Sequence, residues 1–381
     1  MEEMFRFVDE LGPAKILHIS LAHIGLKAVV AVDNTACGPA IGGVRMAPDV
    51  SADEACRLAR AMTLKNAAAG LAHGGGKSVI FADPKMPSRD KEQLIRAFAV
   101  AIAGLTEYIP GPDMGTDELA MGWVHDEIGR AVGLPRELGG IPLDELGATG
   151  FGLAAAVDVA SEAIKLDLKG ARLAIQGFGA VGKHTARFLA QKGCLLVACS
   201  DSRGTVFSPS GLDVAQLISM KEAGKSVVES PDGMKADVDA IIDVPCDIWV
   251  PAARPDVLTH KNVDRLNARI VAQGANIPCT PDAETSLQAR GILVLPDFIA
   301  NAGGVICAAV EYHGGSESSA FATIEEKIRK NTALVIETSR RNVISTREAA
   351  VALATARIRS AARARRWHEQ PSGESRANIK N

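Results

Sequence analysis

The spacing of apolar residues along the chain alternates between two repeats. KAVVAVD, from Lys27, is the short apolar run of a strand, whereas ADEACRLARAMTLKNAAA, from Ala52, places apolar residues three and four apart, as a helix with one buried side requires. SVIFA then reads as a strand, KEQLIRAFAVAIAGL as a second helix, EYIPGPD as a segment with a strand end at Asp113, and DELAMGWVHDEIGRA as a third helix. GPAIGGVRM, between the first strand and the first helix, is glycine-rich and reads as a loop. These elements predict a mixed α/β domain over residues 1–145, left through the Gly- and Pro-rich GLPRELGGIPLDELGATG. Beyond the helix FGLAAAVDVASEAIK, the runs ARLAIQ, CLLVACSD, CDIWVPAA, ARIVAQGA and ILVLPD follow one another with mostly helical patterns between. Strands alternating with helices imply βαβ units, so residues 146–330 are expected to form a doubly wound parallel sheet. A long helical stretch from Ser316 to Arg365 follows, with residues 368–381 a polar, flexible tail. No repeat of solenoid period is present.

Composition narrows the picture. A chain of 381 residues holds about two domains of ordinary size. A net charge of −3 with scattered basic residues offers no field for nucleic acid or an anionic membrane. The basic ARARRWH near the C-terminus reads as a last helical turn, its cations at the negative end of the helix dipole. The acidic start MEEMFRFVDE lacks the pattern of a secretory signal, and no run approaches the ~20 apolar residues of a membrane span. Seven cysteines without CxxC spacing read as small buried hydrophobes in a reducing compartment, so a cytoplasmic protein is expected. No metal site is expected: His125, Asp126 and Glu127 are adjacent on a helix and do not share a face.

GGGKS at Gly74–Ser78 invites comparison with a phosphate-binding loop, but Leu71 stands where the first glycine of such a loop belongs, and the flanks run helix then strand. A stronger phosphate signal is QGFGAVG. Gly177, Phe178, Gly179, Ala180, Val181 and Gly182 follow a strand and open a helix, which suits a tight turn, close approach to a pyrophosphate and helix N–H groups facing it. Asp201, followed by Ser202, ends the next strand where a ribose hydroxyl is read, which favours NAD; Arg203 would accommodate the 2′-phosphate of NADP. In the first domain, Lys65 interrupts an apolar stripe that includes Leu58, Ala61 and Met62, so its ammonium must reach solvent or an anion such as a substrate carboxylate. Lys77 ends the three glycines, and partial burial there would lower its pKa. Asp113 serves either chemistry or as a helix N-cap. An anchor, a base and a proton carrier are what chemistry on an amino acid needs.

At these residues the sequence resembles the glutamate/leucine/phenylalanine/valine dehydrogenase family. GPAIGGVRM, MTLKNAAAGLAHGGGKSVI, GPDMGTDE, ATGFG, QGFGAVG, QGANIPCTPDA and PDFIANAGGV occur in the family's order between about Lys27 and Gly314. The resemblance implies reversible oxidative deamination of an L-amino acid with NAD or NADP, and a homo-oligomer. It also implies a first domain that binds substrate, a Rossmann-like second domain, a cleft closing between them, and a C-terminal helix over about 330–366 packing back on the first. By the same resemblance Lys77 is the low-pKa catalytic lysine that activates water, Asp113 relays protons, and Lys65 holds the α-carboxylate. Gly42 and Gly43 line the substrate site, with Met62 beside them; Thr149 and Asn276 meet the nicotinamide end, and Asn301 sits between substrate and nicotinamide. Glutamate enzymes of the family carry a lysine and a serine where this chain has Ile41 and Ala308. Burying a carboxylate against Ile and Ala costs several kcal/mol, so an apolar amino acid is expected, with glutamate the alternative. Two further readings are a non-catalytic NAD(P)-binding homologue, against which Lys65, Lys77 and Asp113 stand together, and a 2-hydroxy acid oxidoreductase, for which His73 is the one histidine beside the site and reads rather as a loop residue.

Overall fold

The computed structural model describes residues 5–365; the segment expected as a tail, 368–381, lies outside the described residues. The chain divides into two compact units, one made of Met1–Pro142, Ala308–Ser316 and Ala352–Asn381, the other of Leu143–Cys307 and Glu317–Val351.

The first unit holds strands β1 (Lys15–Leu21), β2 (Leu26–Asn34), β3 (Ala40–Ala47), β4 (Gly74–Phe81) and β5 (Tyr108–Pro112), with helices α1 (Ala52–Ala68), α2 (Ser88–Ala101) and α3 (Glu118–Ile128). The sheet order is β1-β2-β4-β3-β5. Side chains alternate across a sheet, so each strand feeds two cores. Val30, Val44, Met46, Ile80 and Tyr108 pack with Phe98 of α2 and Met121 of α3 on one face. Val29, Ala31 and Val79 pack with Ala55 and Ala59 of α1 on the other. Burying Ile95 or Phe98 completely is worth about 1.5–3 kcal/mol each. Ser51 caps α1 by accepting from the Glu54 N–H at 3.1 Å, and Asp117, not Asp113, caps α3.

Two sequence expectations change here, and one strand is new. GPAIGGVRM is not a loop: β3 lies between β4 and β5, parallel to both, and its glycines lowered its apparent strand character while its pairing supplies it. β1, mostly half-exposed at the sheet edge, has too weak an apolar pattern to read as a strand. Lys65 does not interrupt the buried stripe of α1, which runs through Ala55, Ala59, Thr63 and Ala67. It shares a half-buried side with Leu58 and Met62, because small alanines, not the larger residues, face the sheet.

The second unit opens with a short turn, α4 (Leu143–Leu146), and α5 (Ala148–Ala163), then β6 (Arg172–Gln176), α6 (Ala180–Gln191), β7 (Leu195–Asp201), β8 (Gly204–Phe207), α7 (Val214–Glu222) and β9 (Met234–Ala236). The chain continues through β10 (Ile248–Pro251), β11 (Ile270–Ala272), α8 (Pro281–Ala289), β12 (Leu293–Leu295), α9 (Asp297–Ala300), α10 (Gly303–Tyr312), which passes to the first unit from Ala308, α11 (Glu317–Asn342) and α12 (Thr346–Ala364). The sheet order is β12-β11-β10-β6-β7-β8-β9, parallel except for β8 and β9, whose three or four residues are too short to show a period. The helix expected over about 330–366 is two helices, separated at Val343, whose φ is 54°. α11 belongs to the second unit through Ile324, Ile328 and Val335 and through the Arg329 ion pair with Asp158 on α5. Only the part from Ala352 joins the first unit, where Arg357 donates to the carbonyls of Ala67 and Ala68 at the end of α1. Among the described residues no helix is long and apolar enough to cross a membrane.

Candidate active site

In the first unit, register places Ile41, Gly43 and Arg45 of β3 on one face of the sheet, next to Gly75 and Val79 of β4 and Ile109 and Gly111 of β5. Lys77 of β4 shares that face, and Asp113 follows β5 there. The Lys77 ammonium pairs with the Asp113 carboxylate, and Arg45 Nε donates to the same oxygen, Oδ2, at 3.1 Å. Arg45 also pairs with Glu54 in the first turn of α1. Thr116 Oγ1 accepts from the Asp113 N–H at 3.0 Å and donates to the Val44 carbonyl at 2.7 Å, which fixes the turn after β5.

Lys77 is 6% exposed. Burial pushes its ammonium below the ordinary lysine range against the pull of Asp113, and Arg45 adds to the lowering. Burial by itself would raise Asp113, yet Lys77 and Arg45 hold its carboxyl below the usual range. The site therefore holds a lysine inclined to lose its proton beside a carboxylate inclined to stay ionised.

The three glycines before Lys77 are not a loop. They begin β4, and they clear the protein's own parts: a Cβ on Gly74 would lie 1.7 Å from the Asn34 carbonyl oxygen, one on Gly75 2.0 Å from the Thr63 nitrogen, and one on Gly76 2.8 Å from the Tyr108 ring. Gly43 is the residue that leaves room in front of the lysine, because a Cβ there would sit 3.0 Å from Lys77 Nζ and 2.7 Å from Asp113 Cβ. Gly42 is held from the other face, its carbonyl accepting from Tyr108 Oη at 2.8 Å. Ile41 and Ala308 are both buried in this unit; Lys65 and Met62 are half-buried on α1. His73 is buried, not a free loop residue: its ring bonds the Pro39 carbonyl and His313, each at 3.1 Å.

Residues that sequence reasoning passed over are Arg45, Glu54 and Glu311. The Glu311 carboxylate accepts from the N–H groups of Gly133, Leu134 and Ile141 at 2.7, 3.1 and 2.8 Å and thereby fixes the stretch that carries Ala308.

In the second unit the turn from Gly177 to Gly182 joins β6 to α6. A Cβ on Gly182 would lie 1.9 Å from the Gly177 carbonyl oxygen, so only glycine closes this turn. Phe178 is buried beneath it, Gly179 and Ala180 are exposed, and Val181 is half-buried. The first turn of α6 has no side-chain cap, and Gly179 faces open space, which fits a phosphate taking its N–H groups. Asn301 Nδ2 donates to the carbonyls of Gly274 and Ala275 and to Asn276 Oδ1, while its own Oδ1 is buried without a partner, an acceptor left over for an amide or amine. Thr149 lies against Gly304.

Asp201 ends β7, but its carboxylate is already engaged. It accepts from Lys221 Nζ, Ser226 Oγ and the N–H groups of Val227 and Arg203 at 2.8–3.0 Å, about the full capacity of a carboxylate. Burial would raise its pKa, but these donors pull it down to about 2. Ser202 and Arg203 beside it are exposed, and Arg203 pairs with Glu229.

Comparison with known proteins extends over nearly all of the chain. The family described as Glutamate/Leucine/Phenylalanine/Valine dehydrogenase matches residues 139–366, and its "Glu/Leu/Phe/Val dehydrogenase, dimerisation domain" matches residues 15–130. The glutamate dehydrogenase of Aeropyrum pernix is 39% identical over 357 residues, 88% of this chain and 85% of that one. The structure of the hetero-hexameric glutamate dehydrogenase of Thermus thermophilus, Leu-bound form, superposes with a TM-score of 0.84 at 30% identity, covering 94% and 92% of the two chains. That of L-tryptophan dehydrogenase from Nostoc punctiforme gives 0.73 at 27% identity, covering 94% and 98%.

Proposed function

The chain belongs to the glutamate/leucine/phenylalanine/valine dehydrogenase family, and from that premise we propose that it oxidises the Cα–N bond of an L-amino acid. The amino acid, water and the oxidised coenzyme give a 2-oxo acid, ammonium, reduced coenzyme and one proton. NAD or NADP, bound at the turn before α6, supplies the hydride acceptor. The observation that carries this reading is the buried Lys77, shifted toward its neutral form next to an ionised Asp113.

In this scheme neutral Lys77 takes the proton of the water that attacks the iminium carbon, and Asp113 exchanges protons with the amino nitrogen. Lys65 pairs with the α-carboxylate, and Gly43 keeps the approach to Lys77 open. In the second unit the turn over Gly177–Gly182 receives the pyrophosphate, while Thr149, Asn276 and Asn301 receive the nicotinamide end. Asp201, its lone pairs filled by protein donors, braces the end of β7, which leaves NAD and NADP both open to the site. An assembly of identical copies is supported by the dimerisation-domain match, and a reducing, cytoplasmic setting by seven cysteines of which none forms a disulfide.

L-Glutamate is the leading substrate, because relatives at this level of identity are named glutamate dehydrogenases. This weighs against the apolar substrate expected from sequence. That second reading keeps one specific observation: Ile41 and Ala308 are buried and carry no side-chain donor for a distal carboxylate. The test is a panel of L-amino acids at alkaline pH with NAD or NADP, followed by nicotinamide absorbance. Highest kcat/KM with glutamate supports the first reading and highest with leucine, valine or phenylalanine the second; no turnover with any amino acid overturns both.

A further inference from the structure

Two charged residues on the catalytic face have no role in the scheme above. Arg45 lies two residues beyond Gly43 on the same side of β3, and its guanidinium spans the Asp113 and Glu54 carboxylates. The Arg45 and Glu54 side chains are only 19% and 32% exposed, so neither is an ordinary surface charge. Both are fixed from behind: Arg45 by the pairing of β3 with β4, Glu54 by the Ser51 cap of α1. The four groups alternate in sign, from Glu54 through Arg45 and Asp113 to Lys77.

We infer that Arg45 and Glu54 are positioning residues that set the pH at which Lys77 becomes a base. The inference rests on the proposed role of Lys77. If Asp113 and Lys77 were alone, a proton leaving the ammonium would strip the half-buried carboxylate of its only counter-ion, and the pair would tend to keep that proton between them. With Arg45 on the same Asp113 oxygen, the carboxylate stays ionised when Lys77 is neutral. Glu54 limits this effect by neutralising part of the Arg45 charge. Lys77 is faced by Asp113 after β5, Arg45 on β3 and Glu54 on α1. The nearby phenol of Tyr108 on β5 bonds Ser78 and Gly42, and burial pushes it up, so it remains protonated.

The signs follow directly. Glu54→Gln removes a negative charge and unmasks Arg45, so the acidic limb of kcat/KM for amino acid oxidation should move to lower pH, by on the order of one unit. Arg45→Met should move it to higher pH. The double variant Arg45→Met/Glu54→Gln removes both charges and should lie closer to the parent than either single variant. Coenzyme KM should stay within about two-fold throughout, since the dinucleotide turn belongs to the other unit.

The experiment is the pH profile of kcat/KM for the parent and the three variants, with the best substrate from the panel. Limbs that shift in the stated directions, with the double variant in between, support the inference. Lower plateau rates with unmoved limbs give Arg45 and Glu54 a merely structural role and overturn it. If Arg45→Met fails to fold, Glu54→Gln alone decides, and an unmoved limb in that variant also overturns it. A Lys77→Ala enzyme that keeps near-parent turnover removes the base itself; a Lys77→Ala enzyme that is dead, beside unmoved limbs, removes only the inference.

Discussion

The lysine cluster of the first unit and the glycine turn before α6 in the second are built from different materials. The first is made of side-chain charges: Lys77, Asp113, Arg45 and Glu54 engage one another in a chain of ion pairs. The second is made of backbone: an uncapped helix start and a turn that closes only because Gly182 has no side chain. A charge site is sensitive to chemistry at constant shape, and a backbone site to shape at constant chemistry. The first therefore responds to isosteric exchanges and to pH, the second to a single added carbon.

The widest separation between the two should come from Lys77→Ala. Turnover should fall by about 10²–10⁴, as loss of a general base does, while NADH affinity by fluorescence titration stays near the parent value. Equal losses in both would erase the distinction. Gly182→Val tests the other side: with a carbon forced against the Gly177 carbonyl, NADH affinity should drop by about ten-fold or more, and the melting temperature should fall. Ile41→Lys with Ala308→Ser should raise the ratio of kcat/KM for glutamate to that for the best apolar amino acid by about ten-fold. An unmoved ratio would mean that other residues read the side chain.

The smallest effect is expected at Asp201, a side chain that serves the backbone around it. Its folded pKa of about 2 lies below its ordinary value of 3.8, so its contribution to stability is fully present above pH 3.8 and is lost as pH falls toward 2. Asp201→Asn should cost about 1–2 kcal/mol at neutral pH, less near pH 2–3, by urea unfolding at each pH. The preference between NAD and NADP should change little. A large change would show that this carboxylate still reaches the ribose.

The sequence made the second site easier to read than the first. A backbone site leaves a spacing, Gly177, Gly179 and Gly182 after a strand, and spacing survives in one dimension. The strands β6, β7, β10 and β11, apolar on both faces, were equally legible. A charge site is assembled from residues far apart in the chain, and its membership depends on which face each side chain takes. Reading GPAIGGVRM as a loop hid the alternation of Ile41, Gly43 and Arg45, and with it Arg45. Glu54, an acid in a first helical turn, carries nothing in its sequence context that sets it apart. Lys77 after three glycines and Asp113 at a strand end stood out in the sequence, and the resemblance assigned them roles; the spacing that pointed to Asp201 carries no sign of Lys221 and Ser226, which arrive from later segments.

One architectural fact bears on how the protein is made. The first unit is assembled from three separate stretches of chain, and its last stretch begins at Ala352, after every residue of the second unit. During synthesis, then, the unit that begins first is completed last. Until α12 has left the ribosome, the carbonyls at the end of α1 lack the Arg357 that donates to them. A message cut short ahead of Ala352 would encode all of the second unit and a first unit that lacks its final segment, so expression of fragments should yield the former in soluble form and the latter only when the missing helix is supplied in trans.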